Sequence, residues 1–332
     1  MMLFPEVLKK ELDSEQIPQQ VHDLFLEMYS SYKESIENHG MNVRDHQGVF
    51  LQYLGFLKDE LRNPYTFEPY HKKITAPINY FQFSIDLFYH LVNRGESKIF
   101  HKESLAKMRN QLRKGENVIF LANHQTEVDP QMLYLMLENS YPDIGGETIF
   151  IAGDRVVSDP AAIPLSRGTN LLCIYSKRHI NNPPERKEEK LKHNQRTMKL
   201  MRELLAEGGK CIYMAPSGGR DRKNEKGEIE VAPFDPQSIE MFRLQAKQAK
   251  TPTHFYPLAM HTYDILPPPE KVKSELGEAR RPAYATIHLA FGDEIDMDNF
   301  PGCEVQDRHA KREARAHYIW SLVKHYYSEF PS

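Results

Sequence analysis

Apolar residues fall along this chain in two rhythms, and the change between them divides it. Over residues 18–62, Val21, Leu24, Phe25, Met28, Tyr29, Tyr32 and Ile36 recur at helical spacing. After a break at His39-Gly40, Val49, Phe50, Tyr53, Leu54, Leu57 and Leu61 do the same. Helices of this kind either bury their stripes against each other in a small bundle or offer them to a partner, and mutual burial is the reading adopted. Asn63-Pro64 ends the second helix. Glu68-Pro69-Tyr70-His71-Lys72-Lys73 then reads as a polar connector. The pattern predicts a helical bundle over residues 1–75 and a larger domain over 76–332.

Beyond residue 76 short apolar runs take over. Those at 117–122, 148–152, 171–175, 210–215, 254–260 and 284–291 read as strands, with helical patterns at 130–139, 187–207 and 236–249. Such alternation predicts an α/β fold, a mainly parallel mixed sheet flanked by helices. In sheets of this kind ligands bind in the crevice at the carboxyl ends of the strands, so the segments leaving them are where chemistry belongs. The run at 117–122 is followed by Asn123-His124-Gln125-Thr126-Glu127-Val128-Asp129-Pro130 and an apolar helix. Asp129 fits the helix N-cap and Pro130 its first position. A histidine and an aspartate five residues apart do not share a helix face, but a strand-to-helix turn can fold one back on the other. That pairing suits a hydroxyl-activating base, His124, with an orienting acid, Asp129.

The later exits give the pair its context. Gly153-Asp154-Arg155 follows the second strand, Ser176-Lys177-Arg178-His179 the third, and Pro216-Ser217-Gly218-Gly219-Arg220-Asp221-Arg222 the fourth. Lys177, Arg178, His179, Arg220 and Arg222 thus form two cationic groups at neighbouring strand ends. Glycines let backbone N–H groups approach a ligand, and guanidinium forks match phosphate oxygens. Surface salt bridging of the arginines to Asp221 and Glu225 is the alternative for that loop taken alone. No GxxxxGK[ST] is present, so a nucleotide is not specifically indicated. Ser217 lacks the GxSxG elbow and is not read as a nucleophile. His254, His261 and His288 show no metal-ligand spacing and are read as structural; no metal is expected.

Composition narrows the classes further. With 43 basic and 46 acidic residues the net charge is −3, so nothing global points to nucleic acid. The charge is uneven, however: residues 177–202 hold nine Lys/Arg against three Glu, an excess of 9 − 3 = +6. This is either a solvated helix face or a docking surface for an acidic partner. No window nears the ~18 uninterrupted apolar residues of a membrane span. Neither a signal peptide nor a transit segment is legible at the N-terminus. A bacterial-type cytoplasm is therefore the compartment expected, with the plastid stroma second. Cys173, Cys211 and Cys303 share no CxxC spacing and read as reduced core thiols.

Asn-His-Gln-Thr-Glu-x-Asp-Pro at 123–130 resembles the His-x4-Asp motif of glycerolipid acyltransferases. More narrowly, the chain resembles the soluble, plastid-type glycerol-3-phosphate 1-O-acyltransferases. Further matches are Pro69-Tyr70-His71-Lys72, the run Ile149 to Val156, Asn170 to Lys177, Ala215 to Arg222, Pro233-Phe234-Asp235 and Asp264-Ile265-Leu266-Pro267-Pro268-Pro269. They span about residues 65 to 295. The resemblance implies transfer of a fatty acyl group from a thioester, on acyl carrier protein or coenzyme A, to the sn-1 hydroxyl of glycerol 3-phosphate. It implies His124 as base, Asp129 as its partner, and Arg178, His179, Arg220 and Arg222 at phosphate-binding positions. It also implies no cofactor and no integral membrane segment. The family pattern Ser-Lys-Lys-His is here Ser-Lys-Arg-His, which leaves open whether Lys177 or Arg178 makes the main contact.

Other classes fit less well. An acyltransferase acting on lysophosphatidate would share the chemistry but usually brings membrane-embedding segments. A binding module for phosphate ligands would use the arginines without needing His124 and Asp129. A phosphatase or kinase-like enzyme would want metal-binding carboxylates or a P-loop beside the arginines.

Overall fold

A computed structural model of the chain describes residues 2–176, 180–269 and 278–331. Three helices open it, α1 (Phe4–Asp13), α2 (Gln19–Glu37) and α3 (Gln47–Arg62). They are followed by β1 (Tyr70–His71), α4 (Tyr80–Tyr89), β2 (Lys98–Phe100) and α5 (Lys102–Arg113). The next stretch runs β3 (Asn117–Ala122), α6 (Asp129–Leu137), α7 (Pro142–Glu147), β4 (Ile149–Gly153), α8 (Ile163–Arg167) and β5 (Asn170–Ile174). Then come α9 (Lys187–Glu207), β6 (Cys211–Met214), the short hairpin β7 (Arg222–Lys223) and β8 (Ile229–Glu230), and α10 (Pro236–Ala249). The chain closes with β9 (Thr253–His261), β10 (His288–Phe291) and α11 (Arg308–Ser328).

Among the described residues eight strands form one sheet in the order β1-β5-β4-β6-β3-β9-β10-β2. The five central strands β5, β4, β6, β3 and β9 are parallel to their neighbours; β1 and β10 join antiparallel. Every residue of β3 is buried, as a central strand covered by helices on both faces demands. Its apolar run is continuous rather than alternating for that reason. The predicted α/β fold with a mainly parallel sheet is the fold observed.

The N-terminal stripes do pack on each other, through Phe25, Tyr29, Tyr32, Phe50 and Tyr53. Their core continues without a break into Phe83 and Phe88 of α4 and Val128 and Met132 at the start of α6. The bundle thereby abuts the very turn that carries His124. The connector at 68–73 is structured as well: Tyr70 and His71 pair with Leu172 and Leu171 as an edge strand, and His71 is buried. No described helix is long and apolar enough to cross a membrane.

Candidate active site

The parallel order β5-β4-β6-β3 sets four strand exits side by side at one edge of the sheet. Leaving β3, the loop 123–128 turns into α6. Its histidine folds back: His124 Nδ1 lies 2.8 Å from Asp129 Oδ2. Asp129 is 1% exposed and the His124 side chain 31%, so one end of the pair is locked in protein and the other faces outward. A carboxylate only accepts, so Nδ1 donates to it and Nε2 is left with its lone pair. The same carboxylate also accepts from the main-chain N–H of Gln125 at 3.0 Å, from that of Thr126 at 3.3 Å and from the Thr262 hydroxyl at 2.6 Å. These donors fix its plane and hence the imidazole's.

Asp129 does not cap α6. Val128 holds that position without a side-chain bond, and Asp129 is the first helical residue with Pro130 next. The expectation was one residue off. The physical reason is that the carboxylate turns back to the loop amides and to His124 instead of forward to the helix.

Beneath the loop lies a buried polar layer. Asn123 pairs with the main chain of Met260 in both directions and receives the Tyr213 hydroxyl on its carbonyl. Gln125 accepts from the N–H groups of Thr262 and Tyr263 and donates to the Tyr327 hydroxyl, which in turn meets His261 Nδ1. Both side chains are fully buried. Glu127 is clamped by Nε and Nη2 of the buried Arg280 guanidinium, whose Nη2 also reaches Asp159 at 3.0 Å. Segments distant in sequence are thus pinned around one turn.

The arginine loop runs alongside. The main-chain N–H of Asp221 donates to the His124 carbonyl at 2.6 Å, joining the two loops directly. Arg220 holds the Glu278 carboxylate with contacts of 2.6 and 2.8 Å, and Arg155 lies 3.5 Å from the same group. Arg222 donates to the Pro269 carbonyl at 2.8 Å. Asp221, weighed as a surface partner for these arginines, is instead fully buried and turned beneath the histidine loop. Burial pushes its carboxyl up to about 6 against the opposing hydrogen bonds from Ala232, Asn123 and Gln125. Lys177, Arg178 and His179 lie outside the described residues.

A protein-family model described as Acyltransferase matches residues 105–261. The chain is 35% identical over 320 residues to a chloroplastic glycerol-3-phosphate acyltransferase of Arabidopsis thaliana, covering 96% of this chain and 69% of that protein. The chain belongs to the glycerol-3-phosphate acyltransferase family. Similar chloroplastic proteins bear the same name in Carthamus tinctorius, 38% identical over 87% of this chain and 64% of that one, and in Spinacia oleracea, 34% identical over 92% and 65%. The chain therefore spans about two thirds of the length of these relatives, and as a family member it is an acyltransferase.

For this acyltransferase the remaining expectations sort clearly. His254 bridges Glu116 and Glu294, and His288 accepts from the N–H of Lys98. Cys173 and Cys211 are buried free thiols, both pushed up to about 12 by burial. Thr262, Glu278, Arg280 and Tyr327 went unread in the sequence. No local spacing marks them, because the partners of Thr262, Arg280 and Tyr327 at the turn lie more than a hundred residues away, and Glu278 meets Arg220 across 58 positions.

Proposed function

We propose that this chain transfers a fatty acyl group from a thioester to the sn-1 hydroxyl of glycerol 3-phosphate, giving lysophosphatidic acid. The observation that carries the reading is the half-exposed His124, oriented by a fully buried Asp129, at the point where the arginine loop touches its carbonyl. The acceptor's phosphate sits against Arg220 and Arg222, with Lys177, Arg178 and His179 as the further cations; β4 lies between β5 and β6 in the sheet, so the two cationic groups follow strands that are not adjacent, contrary to the expectation. That phosphate position places the glycerol hydroxyl against His124 Nε2, and holding both reactants in register supplies much of the rate. As the hydroxyl oxygen attacks the thioester carbonyl, its proton passes to Nε2. Asp129 stabilises the imidazolium so formed. The tetrahedral intermediate then collapses, the C–S bond breaks, and the departing thiolate takes the proton from His124. The acceptor oxygen is left in an ester.

The donor proposed is acyl carrier protein, with coenzyme A thioesters as the simpler substitute. The named relatives are chloroplast proteins, which supports the stroma, the second of the two expected compartments; a bacterial-type cytoplasm rests on the sequence alone. The test is thiol release from an acyl thioester with and without glycerol 3-phosphate. Release that depends on the acceptor is expected, as is a loss of roughly 10²- to 10⁴-fold in His124→Ala. Near-wild-type turnover in that variant, or release indifferent to the acceptor, overturns the proposal.

A further inference from the structure

We infer that Asp221 is a positioning residue that sets the register between His124 and the arginine loop, so that the acceptor's hydroxyl and its phosphate are engaged at once. The inference deepens the reading above and rests on it. In sequence Asp221 stands between two arginines, and a salt bridge on the surface would be the ordinary outcome. It makes none in this structure with Arg220 or Arg222, which turn to Glu278 and to the Pro269 carbonyl. Its Oδ2 accepts from Asn123 Nδ2 at 2.8 Å and from Gln125 Nε2 at 3.2 Å, and its Oδ1 from the N–H of Ala232 at 2.9 Å. Asn123 and Gln125 are the residues on either side of His124. With the main-chain bond to the His124 carbonyl, one residue of the arginine loop thus holds three consecutive residues of the base's loop.

The carboxylate is an unusual choice for this place. It is fully buried, its side-chain bonds come from neutral donors, and burial raises its folded pKa from 3.8 to about 6. The sign follows directly. Between those values the folded state binds more proton than the unfolded one, so stability falls as pH rises through the window, and ionised Asp221 opposes folding at neutral pH. A group that lowers stability where the protein works is retained for what it positions. An amide cannot replace it: one face of any asparagine presents N–H groups to donors on whichever side it turns.

The test compares two acceptors, glycerol 3-phosphate and glycerol. Glycerol has the hydroxyl without the phosphate, so its turnover does not use the register between the arginines and His124. In Asp221→Asn the ratio of kcat/KM for glycerol 3-phosphate to that for glycerol is expected to fall roughly 10- to 100-fold, the loss typical of an ångström-scale misplacement. Gln125→Ala, which removes the Gln125 tie to Asp221 along with its bonds to Thr262, Tyr263 and Tyr327 and keeps the carboxylate, is expected to shift the ratio in the same direction; it decides the matter if Asp221→Asn does not fold. An equal loss with both acceptors marks a merely structural residue and overturns the inference. So does a preference for glycerol 3-phosphate that survives both substitutions. A wild-type enzyme with no such preference overturns the parent reading along with it.

Discussion

Arg220 and Arg222 leave the same loop two residues apart, yet the structure treats them differently. Arg220 grips a carboxylate with two short contacts, both from Nη2, a charge-assisted pairing of the kind a guanidinium also makes with phosphate oxygens. On the proposed reading, Glu278 therefore occupies the group that would hold the acceptor's phosphate. Burial, and then the neighbouring Arg220, make the Arg222 guanidinium easier to deprotonate than usual, a crowding of cations that a bound dianion relieves. Arg220→Ala and Arg222→Ala are each expected to raise the KM for glycerol 3-phosphate by about tenfold or more, with a smaller drop in kcat. Steady-state kinetics at saturating acyl donor checks this; an unchanged KM in both variants removes the arginines from phosphate binding. At this scale the sequence was readable where partners are neighbours. His124 and Asp129 are five residues apart, so a single turn brings them together. Thr262 reaches the same carboxylate across 133 positions, and only the pairing of β3 with β9 puts it there. The buried face of Asp221 was equally hidden, because its flanking arginines suggested a solvent-facing triplet.

At the level of elements, what made the central strands legible was burial on both faces. The run predicted at 117–122 is β3 to the residue, and 187–207 and 236–249 coincide with α9 and α10. Strands of two or three residues, β1 and β2, carry too few side chains to show a period, and β1 lay hidden in a segment that reads as polar. The far end of the sheet shows how the strands are tied down away from the chemistry. There Glu294, just after β10, meets Lys107 of α5 at 2.7 Å and His254 of β9 at 2.6 Å. Burial pushes its carboxyl up, but these two partners outweigh it and pull it from 4.5 to about 2. A lowered folded pKa means that the folded state binds less proton. The stabilisation is thus present above about pH 4.5 and lost as pH falls toward 2. Glu294→Gln is expected to be less stable than wild type at neutral pH, with the gap closing on acidification across that window. Urea midpoints of both proteins at several pH values measure it, and a gap independent of pH contradicts the assignment.

Over the whole molecule, parallel order is what turns separate motifs into a site, and it was inferable because the strand exits carry chemistry one after another. The continuity of the N-terminal core into α4 and α6 was not inferable, since a helix stripe does not name the surface it covers. The basic run was legible as charge and only partly as surface. Lys190 is buried, bonded to the Asn182 carbonyl and set over the Tyr175 ring, while Lys192, Arg196 and Lys199 are exposed on α9. Lys192 and Lys199 pair with Glu188 and Glu203 along the helix, but exposed pairs of this kind are worth under about 1 kcal/mol and yield to a denser anionic partner. We propose this face as the docking surface for an acidic acyl carrier protein. Lys192→Glu, Arg196→Glu and Lys199→Glu combined are then expected to raise the KM for an acyl-carrier-protein donor by roughly tenfold at low salt, since surface charge acts mainly on encounter. The same variant should keep its KM for an acyl-coenzyme A donor and for glycerol 3-phosphate. The wild-type KM for the carrier-bound donor should climb with ionic strength, and that slope should flatten in the variant. A variant that weakens both donors equally, or neither, places the carrier protein elsewhere on the enzyme.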